Sequence, residues 1–427
     1  MERSRATGAG LGAQLWTWDA TGEKTRLLAW CVVALLIPYN VYLYYVNFSD
    51  LSVNSHGDFF LYWSFGRFVA SHPFTELYSY PALHDFQESI GSGPGFLGYY
   101  VYPPQLAFLL APLARLDYAP ALLVWCFGTL LLYLWAAFGR AWNWRAVVAT
   151  LLLPPTAMCM AGGQNGFLTA ALLIGGLRLT PTRPILAGVL FGLLAYKPQF
   201  GVLVPVALAS ARQWRAMASA AASVLVIVVT VGFAAGWSIW ALWFASLRGN
   251  AVLFTSAVPL DHMMPTVMAS VNLLGGPPVV ARVAQLVTAV ATVAVTWACF
   301  RRGMGRLPMA ALLVGAFLVT PYAEAYDMPI VATAIVVVIG ERIAARGAFT
   351  LIEIIILLAA SLMPALLPIP APRFPTGATV LVLLFAVIVY RLAVVSGGWR
   401  GGGLNSSFVP VATPPPIPLP QGEGEKN

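Results

Sequence analysis

The amino-acid sequence predicts an all-α polytopic membrane protein, and three observations carry that prediction. Hydrophobic residues make up 59% of the 427-residue chain and charged residues only 9%, against about 25% charged in a soluble domain. Apolar segments recur from residue 27 almost to residue 395, several of them near the ~20 residues that a helix needs to cross a bilayer core. The basic residues cluster in short loops between these segments, as the positive-inside bias expects. The net charge of +8 is therefore a topological signal and does not point to nucleic acid. The four cysteines, Cys31, Cys126, Cys159 and Cys299, lie far apart in apolar segments, a pattern that suits neither a disulfide framework nor a metal site.

Residues 1–24 are polar and Gly-rich, with Arg3, Arg5 and Lys24, and read as a disordered cytoplasmic tail. The membrane domain then covers residues 25–397. Its first span, residues 27–48, is too long and too aromatic for a signal-peptide core and is not followed by a small-residue cleavage site, so it is retained. The outer loop 49–118 holds two amphipathic helices, about 59–70 and 81–89, and a GSGPG turn at 91–95. The stretch YYVYPPQLAFLLAPLARL at 99–116 has an apolar part of only nine residues. It reads as a juxtamembrane or re-entrant helix on the outer side. With that assignment every basic loop falls inside, and about 12 transmembrane helices follow: 27–48, 119–139, 146–161, 167–179, 184–196, 199–211, 216–236, 279–300, 308–320, 328–340, 349–366 and 376–395. Arg140, Arg145, Arg178, Arg183, Arg212, Arg215, Arg301, Arg302, Arg306, Arg342 and Arg346 mark the inner loops. The Gly/Pro-rich tail 398–427 reads as disordered.

This topology leaves a small mixed set of ionisable residues on the outer face, and candidate chemistry is sought there. Asp58, in NSHGDFFLYWSFGRF after the first span, is a general base for an acceptor hydroxyl or, more simply, a helix N-cap. His56 is its neighbour without an assigned role. Gln164 and Asn165 in GGQNG offer donors and acceptors to a sugar, or only cap a turn. Lys197 in YKPQFG is an outer cation against the topological trend, suited to a phosphate headgroup or to snorkelling. Arg67 is a second candidate for that phosphate. Tyr322, Glu324 and Asp327 share TPYAEAYD at another outer boundary, where an idle carboxylate is unfavourable. Tyr102 opens the Pro103–Pro104 entry to the juxtamembrane helix. Asp261 and His262 share a loop, without the second ligand pair that a metal site requires.

Taken in chain order, GDFxxYW, YPP, GQNG, KPQ and the late TPY and YD resemble the glycosyltransferase 87 family of GT-C integral membrane enzymes. Its members include a mycobacterial enzyme that extends phosphatidylinositol mannosides from polyprenol-phosphate mannose. The resemblance spans about residues 25–397. It implies a GT-C fold and a hexosyltransferase, mannose being the family's sugar. The donor would be a polyprenyl-phosphate sugar, the acceptor a glycolipid or glycan hydroxyl, and the transfer inverting, at the periplasmic face of a bacterial inner membrane. Asp58 would be the catalytic base, Lys197 and Arg67 would hold the donor phosphate, and Gln164, Asn165, Tyr102, His262, Tyr322, Glu324 and Asp327 would contact substrate. Membrane lipids would surround the chain, with no nucleic acid, nucleotide or obligatory metal involved. The chain departs from the family at Ala323–Glu324, where a His or Ser would follow the Pro-Tyr. A secondary transporter or lipid-linked-sugar flippase is the alternative. Those proteins place charges near the midplane, often in two matching halves, whereas here the polar residues gather at one face and no repeat relates the halves. A ligase-type enzyme moving a lipid-linked glycan would share the outer site.

Overall fold

The computed structural model describes residues 17–53, 57–93, 98–139, 142–249, 260–367 and 375–397. His56, Arg140, Arg373 and the expected tails at 1–16 and 398–427 lie outside them. Among the described residues five helices are long and apolar enough to cross a membrane. They are α1 (Glu23–Phe48), α5 (Tyr118–Phe138), α11 (Trp214–Ala235), α14 (Pro278–Phe300) and α18 (Thr376–Gly397). The protein is a multi-pass membrane protein. The predicted span 146–161 is instead a bent pair, α6 (Trp144–Leu152) and α7 (Pro154–Ala161), with a 62° angle between them. Pro154 and Pro155 open α7, and proline cannot continue the preceding helix. The freed carbonyl of Leu152 is taken up by the Asn40 amide on α1 at 2.9 Å, as the membrane interior requires.

The other six predicted spans form helices that are too short to count as crossings by length: α8 (Gly166–Leu179), α9 (Pro184–Leu193), α10 (Leu203–Ser210), α15 (Arg306–Val319), α16 (Pro329–Ala344) and α17 (Leu351–Leu366). By length and composition, five of the described helices, or six if the bent pair is one span, are able to cross a membrane, against the twelve spans expected. The short helices differ from the long ones in what surrounds them. In α1 and α11 only 11% and 17% of the span window is buried, so these helices face lipid. In contrast, residues 166–177, 308–318 and 329–335 are buried without interruption. Helices α8, α15 and α16 are the centre of the fold: α8 and α15 each pack on α16, α5 covers α8, and α14 and α18 cover α15.

The segment after α1 holds helices where the sequence reading placed them. Helix α2 (Gly57–Ser71), α3 (Tyr80–Ser89) and α4 (Gln105–Leu110) occupy the positions expected for amphipathic and juxtamembrane helices, and α2 lies close on α4. Gly66 permits the approach, because a Cβ there would stand 2.6 Å from the Leu110 carbonyl oxygen. Phe59, Phe60, Phe65 and Phe68 are fully buried, so the aromatic face of α2 is its packing face. The loop between α11 and α14 contains α12 (Ser238–Ser246) and α13 (Val267–Leu273).

One expectation fails at the N-terminus. Residues 17–24 are not a disordered tail: β1 (Thr17–Asp19) pairs antiparallel with β2 (Ala348–Thr350), Thr17 opposite Thr350, and α1 begins at Glu23. No alternation in such a short stretch signals a strand, and its partner is more than 300 residues away. The β2 end is held by Arg342, which donates to the Ala348 carbonyl, and by the Arg391–Glu353 ion pair.

Gly166, where α8 begins, sets how closely α8 meets the segment 320–328. A Cβ on Gly166 would lie 2.0 Å from the Tyr326 carbonyl oxygen and 3.1 Å from Cys159 Sγ. Gly166→Ala is therefore expected to destabilise by about 1–3 kcal/mol, as overpacking does. Gly128→Ala, which lies inside α5 and meets nothing within 4 Å, is expected to leave the unfolding temperature in detergent the same or slightly higher, since alanine favours the helix.

Candidate active site

The residues singled out in the sequence converge where three helices end. Gly162 to Gly166 join α7 to α8. The 3-10 turns Leu194–Tyr196 and Pro198–Gly201 join α9 to α10. The 3-10 turn Ala325–Asp327 leads into α16. Irregular backbone is tolerated at membrane depth only when buried in protein or lining a cavity, and Asn165, Lys197 and Asp327 are all buried.

Lys197 and Asp327 form the centre. The lysine Nζ donates to Asp327 Oδ1 at 2.5 Å and to Asn165 Oδ1 at 2.9 Å. The two side chains are 2% and 1% exposed, which makes this a desolvated, charge-assisted bond. Burial is the largest influence and works against the ammonium, but Asp327, Tyr102 and Glu324 together outweigh it and hold Lys197 above its ordinary pKa. The Tyr326 ring lies 4.8 Å from Nζ, a cation–π contact. Asp327 uses its second oxygen to accept from the Glu324 amide at 3.4 Å, so it also caps its own turn.

From Asn165 the hydrogen bonds run outward. Its Nδ2 donates to Tyr102 Oη at 3.1 Å, Tyr102 and Tyr62 hydroxyls meet at 3.2 Å, and Tyr62 donates to Gln164 Oε1 at 2.9 Å. Gln164 in turn bonds Asp58. Asp58 sits in the first turn of α2. Its side chain is accessible to solvent, yet protein surrounds it closely, and this burial pushes its pKa up to about 6 against the lowering pull of Gln164. Gly162 makes room for the carboxyl, since a Cβ there would stand 3.2 Å from Asp58 Oδ2. Gly163, with φ +59° and its carbonyl held by Trp125 Nε1 at 2.9 Å, turns the chain so that Gln164 points at Asp58.

A second carboxyl faces the same region. Glu324 accepts from the Tyr322 hydroxyl at 2.5 Å. Burial pushes its pKa up to about 7, the Tyr322 bond pulls down, and the charge of Asp58 pushes further up. Two coupled carboxyls titrating near neutrality are the environment in which one group can hold a proton while the other accepts one.

Eight of the candidates thus belong to one hydrogen-bonded chain: Asp58, Gln164, Tyr102, Asn165, Lys197, Asp327, Glu324 and Tyr322. Arg67 lies nine residues from Asp58 on α2, about 13 Å along the helix, with its guanidinium 4.5 Å from the Trp63 ring centroid and 3.9 Å from Asp117. His262 lies in the 3-10 turn Asp261–Met263 ahead of α13. Tyr62 was missed, although it is the tyrosine of the GDFxxYW stretch. Tyr196 was missed as well; it donates to the Asn165 carbonyl at 3.2 Å and meets Thr169 Oγ1 at 2.6 Å. Its adjacency to Lys197 was the available signal.

Removing one partner of the central pair leaves a buried charge uncompensated, which typically costs about 3–5 kcal/mol. Lys197→Met and Asp327→Asn should each lower the unfolding temperature sharply. The double variant should lose less than the sum of the two, measured as a double-mutant cycle in detergent.

Comparison with known proteins bears on this arrangement. The model of Glycosyltransferase family 87 matches residues 100–321, slightly more than half of the chain. The match contains Tyr102, Gln164, Asn165, Lys197 and His262 and ends just short of Tyr322; Asp58 lies before it. No curated protein and no solved structure matches. A buried lysine, a polar helix-break and an accessible carboxyl at one end of a membrane bundle accord with a glycosyl-transfer site, and the chain belongs to glycosyltransferase family 87, a family of membrane glycosyltransferases.

Proposed function

We propose that the protein transfers a hexose, mannose by family resemblance, from a polyprenyl-phosphate sugar to a hydroxyl of a glycolipid or glycan. The reaction takes place on the periplasmic side of a bacterial inner membrane, within a GT-C fold, and Asp58 is the general base. The observation that carries this reading is Asp58 itself. It is an accessible carboxyl with its pKa raised toward neutrality, hydrogen-bonded into the network that ends at Lys197.

In the proposed reaction Asp58 accepts the proton of the acceptor hydroxyl. The hydroxyl oxygen forms a bond to the anomeric carbon, the bond from that carbon to the phosphate oxygen breaks, and the lipid phosphate leaves with the electron pair. Attack from the face opposite the leaving group inverts the anomeric centre. The lipid phosphate is already a competent leaving group, so the protein's task is positioning and charge stabilisation. Lys197 offers a hydrogen-bond donor toward the departing phosphate, its charge shared with Asp327 and its position fixed by Asn165. Gln164 and Tyr62 orient the Asp58 carboxyl, while Tyr102, Tyr322 and Glu324 offer hydroxyl and carboxyl groups to sugar or acceptor. Arg67 lies about 13 Å from Asp58 along α2 and His262 comes from the loop ahead of α13; both fit the outer parts of a large substrate better than the reacting centre.

Purified protein given polyprenyl-phosphate mannose and an acceptor panel tests the reading. Asp58→Asn should lower turnover by about 10²–10⁴-fold, the usual contribution of a general base, with donor binding kept; equal transfer by both proteins would overturn the assignment.

The pH dependence has a definite sign. The base form of Asp58 is lost as pH falls through about 6, so turnover should fall about tenfold per pH unit below that value. A flat profile between pH 5 and about 7 would contradict the base role.

A further inference from the structure

The other end of the same central helices holds a second cavity. Its volume is about 230 Å³, and its lining includes Arg178, Arg306, Leu313, Thr333, Val337 and Gly340. Helix α8 runs from Asn165 at the active site to Arg178, α15 from Arg306 to the segment containing Tyr322, and α16 from the Asp327 turn to Gly340. The twelve residues from Gly166 to Arg178 rise about 18 Å, so the cavity is a separate site at the arginine-rich end, which the positive-inside bias assigns to the cytoplasm.

Two features define its chemistry. The first is charge at the mouth. Arg306 is paired with Glu341 at 2.9 Å. Arg178 is half-buried and, among the described residues, has no carboxylate partner: its Nη1 donates to the Trp135 and Ala136 carbonyls at 3.0 and 2.8 Å. Those bonds cap the end of α5 but leave the cation uncompensated by any acid. Gly139, with φ +56°, is what lets it lie there, since a Cβ would stand 2.3 Å from the guanidinium. The second feature is depth. From Gly340 at the mouth to Thr333 the cavity follows seven residues of α16, about 10 Å, between Leu313, Val337 and other apolar side chains.

A cation at the rim and a narrow apolar interior beneath it complement an anionic amphiphile. We infer that this cavity binds an anionic phospholipid of the arginine-side leaflet, its phosphate against Arg178 and the start of one acyl chain inside. A free phosphate would satisfy the arginine and leave the apolar interior unfilled. The inference does not depend on the sugar-transfer reading.

The test uses the full chain in neutral detergent, with unfolding followed on addition of phosphatidylglycerol, phosphatidylcholine or glycerol phosphate. Phosphatidylglycerol should raise the unfolding temperature of the wild-type chain saturably, and the other two should not. Arg178→Gln should weaken the half-saturating concentration about fivefold or more, the usual effect of one arginine facing an anionic lipid. Val337→Trp, which fills the interior and keeps the charge, should weaken it similarly and decides the matter if Arg178→Gln does not fold. An unchanged phosphatidylglycerol response in Val337→Trp, an equal response to phosphatidylcholine, or an equal response to glycerol phosphate would overturn the proposal.

Discussion

The buried Lys197–Asp327 pair is the constraint on which the candidate site rests. An ammonium or a carboxylate alone at 1–2% exposure carries a desolvation penalty that no ordinary packing offsets. Together, at 2.5 Å, each makes the other tolerable, and Asn165 completes the lysine's coordination. The pair thereby ties three breaks in the chain to one point: the turn before α8, the turns between α9 and α10, and the turn before α16. Everything outward hangs from Asn165. Tyr102, Tyr62 and Gln164 each have one partner toward the pair and one toward Asp58, so the orientation of the accessible carboxyl is inherited from the buried charge.

This also explains why the central helices are short. Helices α8, α15 and α16 stop where they meet the polar cluster, because their terminal amides and carbonyls and the connecting turns must find partners inside the protein. The long helices α1, α11 and α14 face lipid on most of their surface and have no such reason to stop. A lipid-facing ring around a core of truncated helices keeps the polar backbone of the site inside protein. It also puts the cationic cavity at the far end of those same helices, with rigid, continuously buried helix between the two sites.

Much of this was legible residue by residue. Membrane class follows from composition, since a chain with so few charges cannot cover a soluble surface. Asp58, Gln164, Asn165, Lys197 and Asp327 stood out because a polar residue at an apolar boundary needs a reason to be there, and the structure gives them a common one. Arg67 stands apart from that cluster: its partners are Trp63 and Asp117, and nine residues of helix put it about 13 Å from Asp58 along the axis. Tyr62 escaped notice because a tyrosine among aromatics looks like packing until its hydroxyl partner, a hundred residues later, is known.

The sequence by itself determined the solvent of each segment: which stretches are apolar, which carry charge, where proline and glycine interrupt helices. Those are local properties, set by side-chain transfer energies and backbone sterics. Only the tertiary structure decided which apolar helices are surrounded by protein and which keep most of their surface outside the bundle. A thirteen-residue apolar run has the same composition in either place, and the difference lies in its neighbours. It alone paired β1 with β2, bent α6 against α7 by 62°, and showed Lys197 as half of an ion pair rather than a free cation. Each of these rests on contacts between residues far apart in the chain, which no local pattern encodes.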